Sequence, residues 1–186
     1  MAARIEPLVT VDDLEALPED GNRYEVIEGE IFVSRAPGVP HQVLSGNIYY
    51  SFRKYLEEQQ IGIILATPGL IFDQYNGVIP DLVFFTHRTG ETIIANNRLT
   101  AAPEIVIEIL SSGAQNVDRD RVAKRQLYSK NGVKEYWIVD GENRAIEIYR
   151  QSPTGLEPDT VLTRGERITS PLLPNFDCPL DIIFEE

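Results

Sequence analysis

The run from Pro103 to Leu110, Pro-Glu-Ile-Val-Ile-Glu-Ile-Leu, constrains the fold of this chain more than any other stretch. A short, apolar, β-branched run of this kind reads as a strand buried on both faces. Glu108 sits inside it. A carboxylate in such a strand is costly unless something pairs with it, and a metal ion is one such partner. An earlier run, Gly77 to Phe85, reads as a second strand of the same kind and carries Asp81 directly after Pro80. After the central strand, Ser111, Ser112 and Gly113 make a turn, and a basic helix carrying Lys124 follows. Two acids on neighbouring strands and a lysine on the next helix are the parts of a metal-dependent phosphodiesterase.

A chain of 186 residues is long enough for one domain with one sizeable core. No apolar run approaches the roughly 20 residues a membrane helix needs. The N-terminus lacks the basic-then-apolar pattern of a signal peptide. Cys178 is the one cysteine, which excludes an internal disulfide and fits a cytoplasmic location. The net charge of −12 weighs against nonspecific nucleic-acid binding, unless positive charge is collected on one face. Such a collection exists: Arg119, Arg121, Lys124, Arg125, Lys130 and Lys134 lie close together in sequence, against Asp118 and Asp120. The chain end, with Asp177, Asp181, Glu185 and Glu186, is acidic.

In chain order, Thr10 caps a short helix that ends at Pro18. Arg23 to Ser34 forms a hairpin that turns at Glu28-Gly29. His41 opens a helix reaching about Gln60, with Leu44, Ile48, Phe52, Tyr55 and Leu56 on its buried face. Strands follow at 61–66, 69–73 and 79–85. The polar segment 86–102 reads as a surface loop with room for a short helix. The basic helix runs from about Asp118 to Asn131 and stops at Asn131-Gly132. Glu135 to Val139 is a strand, and Arg144 to Arg150 is its hairpin partner. The proline- and glycine-rich remainder holds one or two short strands.

Asp81 and Glu108 are hard oxygen ligands suited to Mg²⁺ or Mn²⁺, which need few protein carboxylates because water and phosphate fill the other positions. The bland readings are a turn acid for Asp81 and a partner for a buried arginine for Glu108. Glu104 shares a strand face with Glu108 by parity, yet its place after Pro103 points to a solvent-facing strand end. Lys124 and Tyr128, four apart, share a helix face. An ammonium there stabilises charge building on a phosphate; its bland reading is a solvated lysine. Glu25 either faces the same pocket from the first hairpin or is an exposed strand acid. His41, at the helix start, is a core or capping histidine or a member of the pocket rim. The other bases are solvated or touch phosphates, with Arg121 and Arg125 the candidates for phosphate contact.

The order of Tyr24-Glu-Val-Ile-Glu-Gly-Glu30, His41 opening a helix, Pro80-Asp81-Leu82, Pro103 to Ser111, Lys124 with Tyr128, and Gly132-Val-Lys-Glu-Tyr-Trp-Ile-Val-Asp140 resembles the Uma2 family of restriction-endonuclease-like proteins. The resemblance covers about residues 8–150, with 151–186 left as a β-rich C-terminal extension of a single domain. It implies the α/β fold of the PD-(D/E)XK nucleases, a mixed central sheet flanked by helices, here with an additional N-terminal hairpin. By that resemblance Asp81 is the motif aspartate, Glu108 its second acid, and Glu25 a further acidic position. One departure stands out. The motif's lysine lies two residues after the second acid, and that position is Leu110. The resemblance suggests that Lys124 has taken the role from the next helix.

The expectation is a Mg²⁺- or Mn²⁺-dependent endonuclease acting on DNA, with catalytic residues Asp81, Glu108, Lys124 and Glu25. Two alternatives stand beside it: a non-catalytic nuclease-fold binding or regulatory module, and a hydrolase of a smaller phosphodiester. By analogy with nucleases of this type, a homodimer is expected, with the segment from Gln151 onward as a candidate arm.

Overall fold

A computed structural model describes residues 7–14, 16–111 and 119–185. The elements in chain order are α1 (Val11–Leu14), β1 (Arg23–Ile27), β2 (Glu30–Ser34), α2 (Val39–Gln59), β3 (Gly62–Ala66), β4 (Leu70–Asp73), β5 (Asn76–Val78), β6 (Leu82–Thr86), α3 (His87–Ile93), β7 (Ile94–Ala95), β8 (Arg98–Leu99) and β9 (Ile105–Ile109). Then come α4, made of a wide turn (Arg119–Lys124) continued by α-helix (Arg125–Lys130), β10 (Glu135–Asp140), β11 (Ala145–Ser152), β12 (Gly155–Leu162), β13 (Arg167–Ser170), β14 (Leu173–Pro179) and α5 (Leu180–Ile183). The expected turn at Ser112-Gly113 and the helix start at Asp118 lie outside the described residues.

The central sheet runs β12-β11-β10-β9-β6-β3. It is mixed: β9 and β10 are parallel, and the other neighbours are antiparallel. Every residue of β9 and β10 is buried, as the apolar runs foretold. Period-two alternation divides their side chains between two cores. Ile105, Ile107, Ile109, Trp137 and Val139 face one core, where Leu44, Ile48, Phe52 and Leu56 of α2 cover them. Val106, Tyr136 and Ile138 face the other, with Leu127 and Tyr128 of α4. A second sheet, β2-β1-β5-β4-β8-β7, contributes Ile27, Leu70, Val78 and Leu99 to that second core.

The run 77–85 is not one strand. It splits at Ile79-Pro80-Asp81, so that β5 joins the second sheet and β6 the central one. Pro80 supplies no N–H to a ladder, and the break falls there. Glu104 is also buried rather than solvent-facing. Its carboxylate accepts hydrogen bonds from Thr89 Oγ1 at 2.5 Å and Thr86 N at 3.2 Å, and Lys134 Nζ lies 3.4 Å away. The polar stretch 86–102 holds α3, capped by Thr86, and the small β7–β8 pair. Helix α2 begins two residues before His41, with proline in its first turn, where the missing N–H costs nothing. The turn at Glu28-Gly29 has both residues at positive φ (51° and 78°), the two-residue hairpin geometry the dipeptide favours.

The C-terminal segment is more regular than its composition suggests. Strand β12 extends the central sheet, and the β13–β14 pair with α5 delivers Ile168, Leu173, Phe176, Leu180 and Ile183 to the α2 core. These residues are committed to the chain's own interior, and not to an arm. Phe52 is the hub of that core, with ring centroids 5.0 Å from Phe176, 5.7 Å from Trp137 and 6.0 Å from Phe84. Phe52→Ala is expected to lower the unfolding free energy by about 3–5 kcal/mol in urea denaturation.

Candidate active site

The break after β5 and the register of β6 on β9 build the site. Leu82 pairs with Ile107 and Val83 with Val106, so continuing the antiparallel register places Asp81 opposite Glu108. Cross-strand neighbours share a face, and the two carboxylates therefore project from the same side of the sheet. Where the β6 ladder stops, the Asp81 side chain continues it: Oδ2 accepts from the N–H of Ile109 at 2.9 Å. His41 Nε2 lies 3.1 Å from the same oxygen, and Arg23 Nη1 lies 3.4 Å from Oδ1. His41 thus stands beside Asp81.

Glu25 reaches the site from β1. Its Oε1 accepts from the N–H of Ile79 at 2.8 Å, a donor set free by the strand break. Lys124 Nζ lies 2.9 Å from that same oxygen and 2.9 Å from Glu108 Oε1. Tyr128, one turn along α4, donates to Glu108 Oε1 at 2.7 Å. Asp120 and Arg119 complete the cluster. Arg119 Nε is 3.0 Å from Asp120 Oδ1, its Nη1 is 3.8 Å from Glu25 Oε2, and Lys124 Nζ is 3.9 Å from Asp120 Oδ1. Glu25, Asp81, Glu108, Lys124 and His41 all line one narrow cavity of about 20 Å³. A larger, open hollow of about 530 Å³ lies elsewhere, beside Arg164 and Asp181, and contains none of these groups.

Burial dominates the electrostatics. It pushes the Glu108 carboxyl up to about 8, because desolvation and the carboxylates of Asp81, Asp120 and Glu25 outweigh the pull of Lys124. Burial also opposes the charge on Lys124, but Glu108, Glu25 and Asp120 more than offset it and hold the ammonium above its ordinary value. Desolvation likewise raises Asp81, yet the hydrogen bond and electrostatic pull of His41, the Ile109 N–H and Lys124 bring it below the usual range. Asp120 is raised by burial. The four acids share the cavity with Arg23, Arg35, Arg119 and Lys124, so its carboxylates and fixed cations are equal in number.

Two groups named as phosphate contacts from sequence are engaged elsewhere. Arg121 bonds Glu147 at 2.5 Å and Asp140 at 3.3 Å, and Arg125 stacks over the Tyr149 ring at 5.1 Å. Neither lines the cavity. Arg119, read as solvated or phosphate-touching, is half-buried and ion-paired within the acid cluster. Leu110 packs against the second core. Sequence reasoning missed Asp120, Arg23 and Arg35 as cavity residues. Asp120 had one available signal, its position four residues before Lys124 on the same helical segment.

Among the described residues, no group of three or more His, Cys, Asp or Glu side chains is disposed to hold a metal ion. Asp81 and Glu108 offer hard oxygen donors, each with one less committed oxygen, of the kind a divalent ion that keeps most of its water ligands takes. Lys124→Met should expose the balance. It leaves Glu25 and Glu108 buried without their cation and is expected to lower stability by about 3–5 kcal/mol in urea denaturation. Glu108→Gln keeps an oxygen acceptor for Tyr128 and Lys124 while removing a carboxyl whose charged form burial disfavours. Its expected loss is under about 1 kcal/mol.

Comparison with known proteins bears on the fold and the family. A solved structure from Anabaena variabilis, titled a "putative nuclease belonging to DUF820", superposes with a TM-score of 0.75 over 95% of this chain and 97% of that one, at 20% identity. At that identity the likeness speaks for the fold, a restriction-endonuclease-like one. Among curated proteins no match is found. A family model described as "Putative restriction endonuclease" matches residues 11–181, nearly the whole chain, and the protein belongs to that family, Uma2.

Proposed function

We propose that this protein is a metal-dependent endonuclease that hydrolyses DNA phosphodiester bonds. The observation that carries the reading is the convergence of Asp81 and Glu108 from adjoining strands on one cavity, with Lys124 between Glu108 and Glu25. Family membership supports a nuclease, and the donor set supports a hard divalent cation.

Asp81 and Glu108 would hold Mg²⁺ or Mn²⁺, and what such an ion supplies when bound is Lewis-acid polarisation of the scissile phosphate. Each protein group has its own task. Ile109 N–H and His41 fix Oδ2 of Asp81, which leaves Oδ1 the less committed oxygen. Lys124 and Tyr128 both fall on Oε1 of Glu108, so Oε2 is the oxygen that would meet a cation. Lys124, enclosed by protein, offsets negative charge that grows in the transition state without reorganising solvent. Glu25 holds Lys124 from the opposite side and would serve as an outer ligand.

One observation favours the alternative of a non-catalytic module. The Lys124 ammonium already has two carboxylate partners at 2.9 Å, as a structural ion pair would. Cleavage of plasmid and single-stranded DNA with Mg²⁺ or Mn²⁺ decides between them. Wild type should cut, and Asp81→Ala and Lys124→Ala should each lose at least about a hundredfold in rate. Lys130→Ala, at an exposed position, should cut like wild type. Lys124→Ala should bind Mg²⁺ as well as wild type or slightly better, because a nearby positive charge is gone. Equal metal-independent traces from wild type and Asp81→Ala would remove the nuclease and leave the binding module.

A further inference from the structure

Besides the acids Glu25, Asp81, Glu108 and Asp120 with Arg119 and Lys124, the cavity is lined from the β1–β2 hairpin and the segment leading into α2, by Arg23, Ser34, Arg35 and Pro37. Arg23 and Ser34 are register partners across the β1–β2 hairpin, so Arg35, the next residue, lies at the same end of the ladder as Arg23.

The two arginines differ from every other base near the site. Arg119 is held by Asp120 and Glu25, Lys124 by Glu25 and Glu108, Arg121 by Glu147 and Asp140. Among the described residues Arg23 makes a single long contact, 3.4 Å to Asp81, from a guanidinium with five N–H donors. Arg35 is exposed, lines the cavity, and has no hydrogen-bond or ion-pair partner among the described residues. The start of α2 adds to the same lining. Its N-cap, Gly38, provides no side-chain cap, and Pro37 and His41 on either side line the cavity. The positive end of a 21-residue helix favours an anion there.

We propose that Arg23 and Arg35 form the phosphate-binding wall of this site and take the non-bridging oxygens of a phosphodiester in a nucleic-acid strand. The proposal rests on the nuclease reading for its choice of ligand and assigns the substrate contacts of that site. An anionic strand approaching a chain of net charge −12 is repelled over most of the surface. It needs a local pair of uncommitted guanidinium groups facing the carboxylates. Arginine meets phosphate in bidentate geometry, which also sets the strand's register over Asp81 and Glu108.

The test is the salt dependence of binding of a fluorescently labelled DNA oligonucleotide, read by anisotropy in Ca²⁺ between about 50 and 200 mM salt, with the oligonucleotide checked for integrity. Arg35→Ala should weaken binding uniformly across sequences and reduce the slope of log affinity against log salt by about 1, and the double Arg23→Ala/Arg35→Ala variant by about 2. Arg35→Lys should keep the wild-type slope, and Lys130→Ala should not change it. Arg35 is exposed, so its variants are expected to fold; Arg23→Ala is checked by thermal melting. The proposal is overturned if wild type shows no salt-dependent binding, or if Arg35→Ala keeps the wild-type slope. It is also overturned if the loss falls on Arg121→Ala and Arg125→Ala instead. Failure of the nuclease reading looks different: the arginine-dependent slope persists while no variant, wild type included, cuts in Mg²⁺ or Mn²⁺.

Discussion

The ammonium of Lys124 sits within 2.9 Å of two carboxylates from different sheets, Glu25 on β1 and Glu108 on β9, and is almost completely enclosed. Each of the three charges would be expensive to bury alone, and together they are tolerable only in this geometry. The pairing joins the second sheet, the central sheet and α4 at one point. Tyr128 extends it by bonding Glu108 from the same helix, and Tyr136 stacks edge-on against Tyr128 at 5.1 Å. A buried ion pair of this kind contributes little net stability compared with apolar packing, but it strongly disfavours any arrangement that separates the partners. It therefore sets the relation between the helix and the two sheets more than it strengthens the fold.

The strand break at Ile79-Pro80-Asp81 complements this pairing. It lets one continuous apolar run serve two sheets, and it converts a ladder position into a site. The N–H of Ile79, lacking a strand partner, is taken by Glu25, and the N–H of Ile109 is taken by Asp81. Both acids are thus oriented by backbone donors that regular pairing would have consumed. Buried donors must find acceptors, and here the acceptors are the residues with chemical use.

Much of this was legible in the sequence. An acid inside an all-apolar strand can be recognised without coordinates, and Glu108 was found that way. Lys124 and Tyr128 followed from helical spacing, and the buried face of α2 from its periodicity. Arg23, Arg35 and Asp120 were not found, because each looks like an ordinary surface charge until the hairpin and α4 are folded against the acids. The split of the 77–85 run escaped because an apolar stretch has the same appearance whether it feeds one sheet or two. Proline at position 80 was the available signal. Glu104 was misread because its partners, Thr86 and Thr89, are distant in sequence and close only across the fold.

The segment Arg119–Lys124 departs from regular α-helix into a wider, π-type turn before α-helix resumes at Arg125. Such a turn holds one more residue than an α-helical turn. The carbonyl of Asp120 within it accepts from the Tyr136 hydroxyl at 2.9 Å. The extra residue acts as a phase shift along the helix. Arg119 and Asp120 upstream and Lys124 and Tyr128 downstream all reach the acid cluster, although a uniform helix turns by about 100° per residue. Chain length across 119–124 is therefore quantised in a way that loop length is not. A one-residue deletion there would rotate the upstream pair away from the cluster while leaving Lys124 and Tyr128 in place, so length variation in this fold is expected to collect in its surface turns and to spare this stretch.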